Sequence, residues 1–127
     1  LKSLPSLKRL RARVDLACRK GYLKAIDQRN LIIRKKHGAV NTLIQGAGAI
    51  AMKTALVLLE DKIEKNNIDA VPVANVHDEF QYQVKENQAE QLGQLAIQSI
   101  QQAGIKLGLR CPLTGEYKSG NNWKETH

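Results

Sequence analysis

The sequence predicts an α+β fold in which long helices pack on a small antiparallel sheet. Three segments carry apolar residues at helical spacing, and two shorter regions have the pattern of strand pairs. The clearest strand pattern covers residues 71–84, where β-branched residues come first and apolar residues then alternate with polar ones. An acidic pair inside this segment predicts a tight turn, so the segment is predicted to form a β-hairpin.

The first helix is predicted over residues 4–20, where basic residues surround an apolar stripe. This stripe consists of Leu7, Leu10, Val14 and Cys18. Pro5 suits the first turn of a helix, and Gly21 predicts the end of the helix. Two short strands are predicted next, over residues 22–26 and 31–34, with a polar turn between them.

A long helix is predicted over residues 38–66, with a length of about 40 Å at 1.5 Å per residue. Its broad apolar face comprises Val40, Leu43, Ile44, Ala47, Ile50, Ala51, Ala55, Leu58 and Ile63. A second stripe combines polar and small residues, namely His37, Asn41, Gln45, Gly48 and Met52. Asn41 and Gln45 share one face because they are four residues apart. Packing against a neighbouring helix and contact with a ligand are both compatible with this stripe.

The last part of the chain is predicted to contain a helix over residues 86–107, a strand over 111–118 and a turn at 120–123. The helix has a stripe of apolar residues opposite its glutamines, consisting of Ala89, Leu92, Ala96, Ile100, Ala103 and Leu107. No repeat or low-complexity segment divides the sequence. We therefore expect residues 1–127 to form a single fragment without an internal domain boundary.

The predicted hairpin carries charged residues at its turn. We expect this turn to be centred on Asp78 and Glu79, with His77 beside them. Apolar flanks predict a buried hairpin, and two carboxylates there cost desolvation free energy unless something compensates them. A bound divalent metal would compensate them, whereas a purely structural acidic turn is the alternative interpretation.

Charge is distributed unevenly along the sequence. The total is +8, but residues 1–36 hold twelve of the twenty Lys and Arg residues against two acidic residues, and the remaining residues have a net charge of −2. This bias indicates a nucleic acid or an anionic membrane surface as partner, although a solvated basic helix face has the same pattern. The basic trio Arg34, Lys35 and Lys36 directly precedes the long helix.

Other features of the composition narrow the class of protein. No apolar run approaches the length of a membrane span, and no signal peptide is recognisable. The two cysteines, Cys18 and Cys111, are far apart and lack metal-ligand spacing, which predicts reduced thiols in the cytoplasm. The first residue is Leu1 rather than Met, which suggests a piece of a longer polypeptide.

An acidic turn, an amide stripe and a basic segment together indicate a protein that contacts nucleic acid and binds Mg²⁺. Mg²⁺ prefers oxygen ligands and commonly bridges one or two carboxylates to phosphate oxygens. In phosphoryl transfer a pair of such ions activates the attacking oxygen and stabilises the leaving one. Asn and Gln can donate hydrogen bonds to the acceptors that every base pair presents in the minor groove, whatever the base sequence.

The combination of motifs resembles family A, the polymerase I-like DNA polymerases. The motifs are VHDE in the hairpin, HGAVNTLIQGAGA upstream with its N-x-x-x-Q-G spacing, and the ending GNNWKETH. The resemblance runs from about Leu4 to His127, and the hairpin looks like motif C of the palm in that family. It implies a C-terminal, palm-containing fragment with adjoining fingers elements.

The resemblance assigns roles to individual residues. Asp78 would be one of two aspartates that bind the catalytic metals, and Glu79 an accessory carboxylate. His77 would lie near the primer terminus, and Asn41 and Gln45 would reach the minor groove at the newly formed base pair.

Further positions follow from the same family pattern. His37 stands where bacterial repair-type members generally have Arg and where replicases of short-tailed phages tend to have His. This departure from the bacterial repair-type pattern favours a phage or prophage origin. Arg34, Lys35 and Lys36 are expected to contact DNA, and His127 to lie close to the active centre.

Parts of the family pattern have no counterpart here. Motif A, which supplies the other metal-binding aspartate, and the fingers helix that grips the nucleotide should lie upstream of Leu1. We therefore expect a polymerase fragment that is inactive alone and does not hold its Mg²⁺ tightly. The resemblance implies a cofactor and three partners, namely two Mg²⁺ ions, primer-template DNA, deoxynucleoside triphosphates and the missing N-terminal part. It also implies that the protein acts in the cytoplasm of a bacterial cell and does not bind a membrane.

Three other functions are compatible with parts of the sequence. A non-catalytic basic module would bind nucleic acid without using Asp78. A metal-dependent phosphodiesterase would use His77, Asp78 and Glu79, but contiguous residues on a strand alternate faces and do not easily bind one ion together. A scaffold with a chance HDE sequence is disfavoured by the paired upstream motif.

Overall fold

Ten regular elements, of which two are short 3₁₀ turns, follow one another along residues 4–126, which are the residues that the computed structural model describes. Four are helices: α1 (Pro5–Cys18), α2 (Ala39–Lys65), α3 (Ala89–Lys106) and α4 (Trp123–Thr126). Four are strands: β1 (Tyr22–Lys24), β2 (Asn30–Ile32), β3 (Ala70–Val76) and β4 (Glu79–Val84). The strands form two separate two-stranded antiparallel sheets, and the predicted α+β class is confirmed.

The chain divides into two compact units, Leu1–Ile50 and Ala51–His127, and the division falls within α2. In the first unit α1 begins with a proline in its first turn and is followed by Gly21, whose φ of +78° suits a residue without a side chain. β1 pairs with β2 from Tyr22↔Ile32 to Lys24↔Asn30. The buried centre of this unit consists of Val14, Leu23 and Ala39.

The long helix lies close to its predicted bounds, after a short 3₁₀ turn at Lys36–Gly38. One predicted core residue is wrong: Ile44 is 57% exposed. A Cβ at Gly46 would lie 3.2 Å from Leu31 Cδ1, so Gly46 permits close packing inside the first unit, whereas a Cβ at Gly48 would meet nothing within 4 Å.

Residues Lys36–Lys65 also form a helical stretch long and apolar enough to cross a membrane by length and composition. The expectation that no run approaches this length is therefore wrong. The evidence for a span is weak, because the core helix of a soluble protein passes the same test.

The second unit is organised around the C-terminal part of α2. Its core comprises Leu59, Ile63, Ile68 and Leu92. The partly buried Phe80, Tyr82 and Val84 of β4 pack against this core, as their alternation predicts. Helix α3, preceded by a 3₁₀ turn, contributes Leu92, so strand β4 and α3 share one apolar centre.

The hairpin β3–β4 is less buried than predicted. Val71, Val73 and Val76 are 57%, 63% and 48% exposed. Val71 pairs with Gln83 and Val76 with Glu79, so these valines share a face with polar residues while the opposite face packs on the core. A register shift between Pro72 and Ala74 leaves Val73 as an extra residue in β3.

The strand predicted over residues 111–118 is wrong. These residues form no regular element and instead lie along α3. The tail meets α3 where one partner is a glycine, at Leu113 against Gly104, Gly115 against Ile100 and Tyr117 against Gly93. The predicted turn at 120–123 is present as bends at Asn121 and Asn122, and α4 begins at Trp123.

Gly93→Ala tests this packing. A Cβ at Gly93 would lie 2.4 Å from the ring of Tyr117, so we expect a loss of about 1–3 kcal/mol in the free energy of unfolding. In a Tyr117→Ala background the same change should instead stabilise by up to about 1 kcal/mol, because alanine favours helix over glycine. Urea unfolding of the parent, the two single variants and the double variant measures both changes in the free energy of unfolding. An equal effect of Gly93→Ala in the two backgrounds would contradict the contact between Gly93 and Tyr117.

Candidate functional site

The tip of the β3–β4 hairpin is a two-residue turn. Val76 pairs with Glu79, so the turn consists of His77 and Asp78, and Glu79 is the first residue of β4. The predicted centre on Asp78 and Glu79 is therefore wrong by one residue. His77 has a φ of 53°, a left-handed conformation that histidine adopts more readily than most residues with side chains. Such strained residues cluster at functional sites.

His77, Asp78 and Glu79 are all exposed. Glu79 accepts a hydrogen bond from the side-chain amide of Gln81. Asp78 has no hydrogen bond or ion pair within residues 4–126, so its carboxylate is available to a ligand. The desolvation cost expected for a buried acidic tip does not arise, because the tip is in contact with solvent.

A groove of about 870 Å³ lies beside this tip, entirely within the second unit. One side is β4, another is α3 and a third is the tail from Glu116 to Asn121. Asp78 and Glu79 line the groove together with Glu116 and Glu125, whereas His77 is not among its lining residues. The structure thus brings the two predicted carboxylates into one concave, acidic surface.

The donors at this groove fit part of a Mg²⁺ site. A solvent-exposed carboxylate such as that of Asp78 is the type of oxygen ligand that Mg²⁺ takes. Across residues 4–126, however, no three His, Cys, Asp or Glu side chains are close enough together to hold a metal ion. Asp78 therefore fits as one ligand, and the described residues do not supply a complete set.

The predicted DNA-contacting residues of the first unit are exposed. His37 lies in the 3₁₀ turn before α2, and Asn41 and Gln45 follow on the first turns of the helix. Because Asn41 and Gln45 are four residues apart, their amides lie on one face, one turn from each other. The exposed amides are not used in packing, which favours contact with a ligand.

The basic trio next to this stripe is also exposed. Lys36 Nζ lies 3.7 Å from a carboxylate oxygen of Asp15, and both side chains are more than half exposed. Such surface pairs contribute little to stability, so the positive charge of Arg34, Lys35 and Lys36 remains effective toward an anionic ligand. His127, the last predicted site residue, lies outside the described residues.

One residue at the groove was missed from the sequence. Glu125 accepts two hydrogen bonds, from the backbone N–H of Asn121 to Oε2 and from the side-chain amide of Asn122 to Oε1, each at 2.7 Å. Asn122 directly precedes α4, and Glu125 is its third residue. The spacing N-x-x-E resembles a helix capping box, and this was the available signal.

A second missed contact holds β4 in place. Tyr82, in the middle of β4, donates a hydrogen bond from its hydroxyl to Glu60 Oε1 of α2. This bond fastens the strand that leads from Asp78 to the helix beneath it. The even spacing of β4 predicts that Tyr82 faces inward, but it does not indicate which residue receives the hydroxyl.

Comparison with known proteins places these features in a family. The family model described as DNA polymerase family A matches residues 5–125, and the chain belongs to this family. The DNA-directed DNA polymerase of Escherichia phage Phieco32 is 36% identical over 114 residues, which are 84% of this chain and 19% of the relative. That of Escherichia phage T7 is 32% identical over 116 residues, 84% of this chain and 16% of the relative.

A bacterial enzyme and a solved structure are also similar to most of this chain over a small part of their own length. DNA polymerase I of Pseudomonas aeruginosa is 32% identical over 111 residues, 86% of this chain and 12% of the relative. The structure of the POL domain of Pol1 from M. smegmatis in complex with DNA primer-template and dNTP has a TM-score of 0.66 and 25% identity, covering 74% of this chain and 19% of that one. The chain thus spans less than a fifth of the length of these relatives.

The Tyr82 contact predicts a dependence of stability on pH. Burial, together with the hydrogen bond to Glu60 and the negative charge of Glu60, raises the pKa of Tyr82. Above the ordinary pKa of 10.0 the unfolded chain loses this proton while the folded chain keeps it, so stability present below that pH is lost as pH rises. Unfolding free energies between about pH 8 and about pH 11 should fall more steeply for the parent than for Tyr82→Phe. Parallel curves would contradict the assignment.

Proposed function

We propose that this chain is the C-terminal, palm-containing part of a DNA-directed DNA polymerase that performs template-directed nucleotidyl transfer by a two-metal mechanism. The observation that carries the proposal is the β3–β4 hairpin, which presents the unpartnered carboxylate of Asp78 at the rim of a groove in a chain of family A. An exposed carboxylate at a tight turn is suited to a cation and adds nothing to packing.

Within this function Asp78 binds the catalytic metal and Glu79 supports it as an accessory carboxylate. Two Mg²⁺ ions, when bound, would lower the barrier by activating the attacking oxygen and stabilising the leaving oxygen. His77 has a left-handed backbone conformation in the turn and is not among the residues that line the groove. We assign it a contact with the primer strand near its terminus.

Asn41 and Gln45 contact the minor groove of the newly formed base pair. Their exposure and one-turn spacing support this role, because two amides on one helix face can meet successive acceptors. His37 and the basic trio Arg34, Lys35 and Lys36 contribute attraction to phosphates. Minor-groove donors of this type test the shape of a base pair without reading its identity.

The activity requires more polypeptide than this chain supplies. The polymerase relatives are five or more times longer than the matched region, and the groove lacks a full set of metal ligands within residues 4–126. We therefore propose that the isolated chain is inactive and acts with an N-terminal part, primer-template DNA and deoxynucleoside triphosphates. The similarity to phage polymerases favours a phage or prophage protein that works in the bacterial cytoplasm.

The charge of the first unit favours a second candidate function, a non-catalytic basic module that binds nucleic acid. Twelve basic residues lie within residues 1–36. Such a module would bind DNA with an affinity that falls steeply with salt. Its binding would not respond to Asp78→Ala or to Mg²⁺, and a titration of labelled DNA at several salt concentrations distinguishes it from the polymerase.

Asp78→Ala in the complete polymerase should lower kcat by roughly a thousandfold or more, because it removes charge stabilisation from the transition state. DNA binding should stay close to that of the parent. Primer extension with Mg²⁺ and all four nucleotides measures turnover, and fluorescence anisotropy measures binding. Asp61→Ala removes an exposed aspartate of α2 and serves as the matched control, with turnover unchanged.

Comparable incorporation by Asp78→Ala and the parent enzyme would count against the catalytic role of Asp78. Primer extension by the purified 127-residue chain that disappears in Asp78→Ala would instead overturn the proposed inactivity of the isolated chain, because the chain would then be a complete catalyst.

Gln45→Ala should lower extension from matched and mismatched primer ends unequally. The amide of Gln45 is expected to bond the minor-groove acceptor of a correct pair, and a mismatch displaces this acceptor. The measurement is the ratio of single-nucleotide extension rates for the two ends. Gln98→Ala changes an exposed glutamine of α3 and should leave the ratio unchanged, whereas an unchanged ratio in Gln45→Ala would mean that Gln45 does not sense the pair.

A further inference from the structure

The chain folds back on itself immediately before its end. Oε2 of Glu125 accepts the backbone N–H of Asn121, and Oε1 accepts the side-chain amide of Asn122, each at 2.7 Å. We call Asn121, Asn122 and Glu125 the terminal clasp. A Cβ at Gly120 would lie 2.5 Å from Cβ of Glu125, so a residue without a side chain allows the two ends of the clasp to approach.

The terminal clasp lines the groove that contains the hairpin carboxylates. Asn121 and Glu125 border this groove together with Asp78 and Glu79. The tail that leads to the clasp is held on α3, where Tyr117 lies against Gly93. Because α3 also forms one side of the groove, the clasp is anchored to the same element that shapes the site.

Charge alone does not explain a glutamate at this position. Besides Glu125, four acidic residues line the groove, Asp78, Glu79, Glu86 and Glu116, against one basic residue, Lys118. A further negative charge raises the electrostatic repulsion of an incoming polyanion. The benefit of Glu125 must therefore come from the geometry that its two hydrogen bonds impose, and charge-assisted bonds of this kind are stronger than neutral ones.

We propose that Glu125 is a positioning residue, which through the terminal clasp fixes the C-terminal segment as one wall of the groove and thereby shapes the groove for the end of a primer-template duplex. This inference rests on the proposed polymerase function and adds a residue to its binding surface. Glu125 itself does not touch the reacting atoms. It acts through the position of Asn121 and its neighbours.

The loss of charge and the loss of geometry predict opposite changes in DNA affinity when Glu125 is replaced, so one measurement distinguishes them. Removal of a negative charge from the groove should tighten the binding of DNA, whereas loss of the clasp should weaken it. In the complete polymerase we expect Glu125→Ala to raise KM and Kd for primer-template roughly tenfold, the effect of about 1.4 kcal/mol, with kcat within about twofold of the parent.

Two further variants separate the clasp from the charge. Glu125→Gln removes the same charge and keeps one of the two acceptor oxygens, whereas its Nε2 donates and cannot accept the second hydrogen bond. It should therefore raise KM by a smaller factor than Glu125→Ala. Asn122→Ala keeps the carboxylate and removes one of the two bonds, so it should raise KM by a smaller factor than Glu125→Ala. Glu64→Ala removes an exposed glutamate of α2 and is the matched charge control, with KM unchanged.

The inference is overturned if Glu125→Ala binds primer-template as tightly as the parent or more tightly, or if Glu125→Gln loses as much affinity as Glu125→Ala. If Glu125→Ala does not fold, the KM of Asn122→Ala tests the inference instead. An unchanged KM for primer-template in Asn122→Ala overturns it. Asp78→Ala in the same assays separates the two proposals. Normal turnover in Asp78→Ala refutes the polymerase function, whereas lost turnover there with a normal KM in Glu125→Ala refutes only the clasp.

Discussion

The burial of Leu59 against strand β4 and helix α3 is the interaction on which the candidate site depends. Leu59 is completely buried, and Leu92 of α3 and the inward residues of β4 meet around it. Burial of a leucine contributes about 1.5–3 kcal/mol, and an isolated two-stranded hairpin is at best marginally stable in water. The packing on one face of β4 therefore stabilises the hairpin, and the residues at its tip are not needed for this packing. Asp78 can therefore be exposed to solvent while the strand behind it keeps it at the edge of the groove.

Periodicity in the sequence predicts the helices and the inward face of β4, because both depend on spacing within one element. The bounds of α2 and α3 differ from the predicted ones by only a few residues at each end. The turn was misplaced by one residue because its position depends on register, and the extra residue Val73 shifts the register of β3. The exposure of Val71 and Val76 was missed for a related reason. Nothing in a run of valines indicates which face of a hairpin another element covers.

In the tail, residues 111–118, the local sequence pattern does not predict the observed structure. Residues 111–118 have strand-like composition, but Pro112 lacks a donor for a ladder, and the segment packs on a helix. The contact between Tyr117 and Gly93 joins residues far apart in sequence, and only the fold reveals it. Motif spacing is the reason that Asp78, Asn41 and Gln45 are predicted as site residues, and their roles stay predictions. The N-x-x-E spacing that involves Glu125 belongs to a helix of only four residues, so the sequence does not mark Glu125 as a site residue.

The distribution of charge gives the two units different tasks in the proposed polymerase. The first 36 residues have a net charge of +10, which favours a polyanion, whereas the groove of the second unit is lined by more acidic than basic residues. A groove of this kind can admit a phosphate only when cations neutralise it, which is the charge logic of a metal-dependent site. Attraction and chemistry are thus assigned to separate parts of the sequence. Under the proposed function, the acidic groove would disfavour phosphate until metal ions are bound, and the basic segment would supply attraction to DNA.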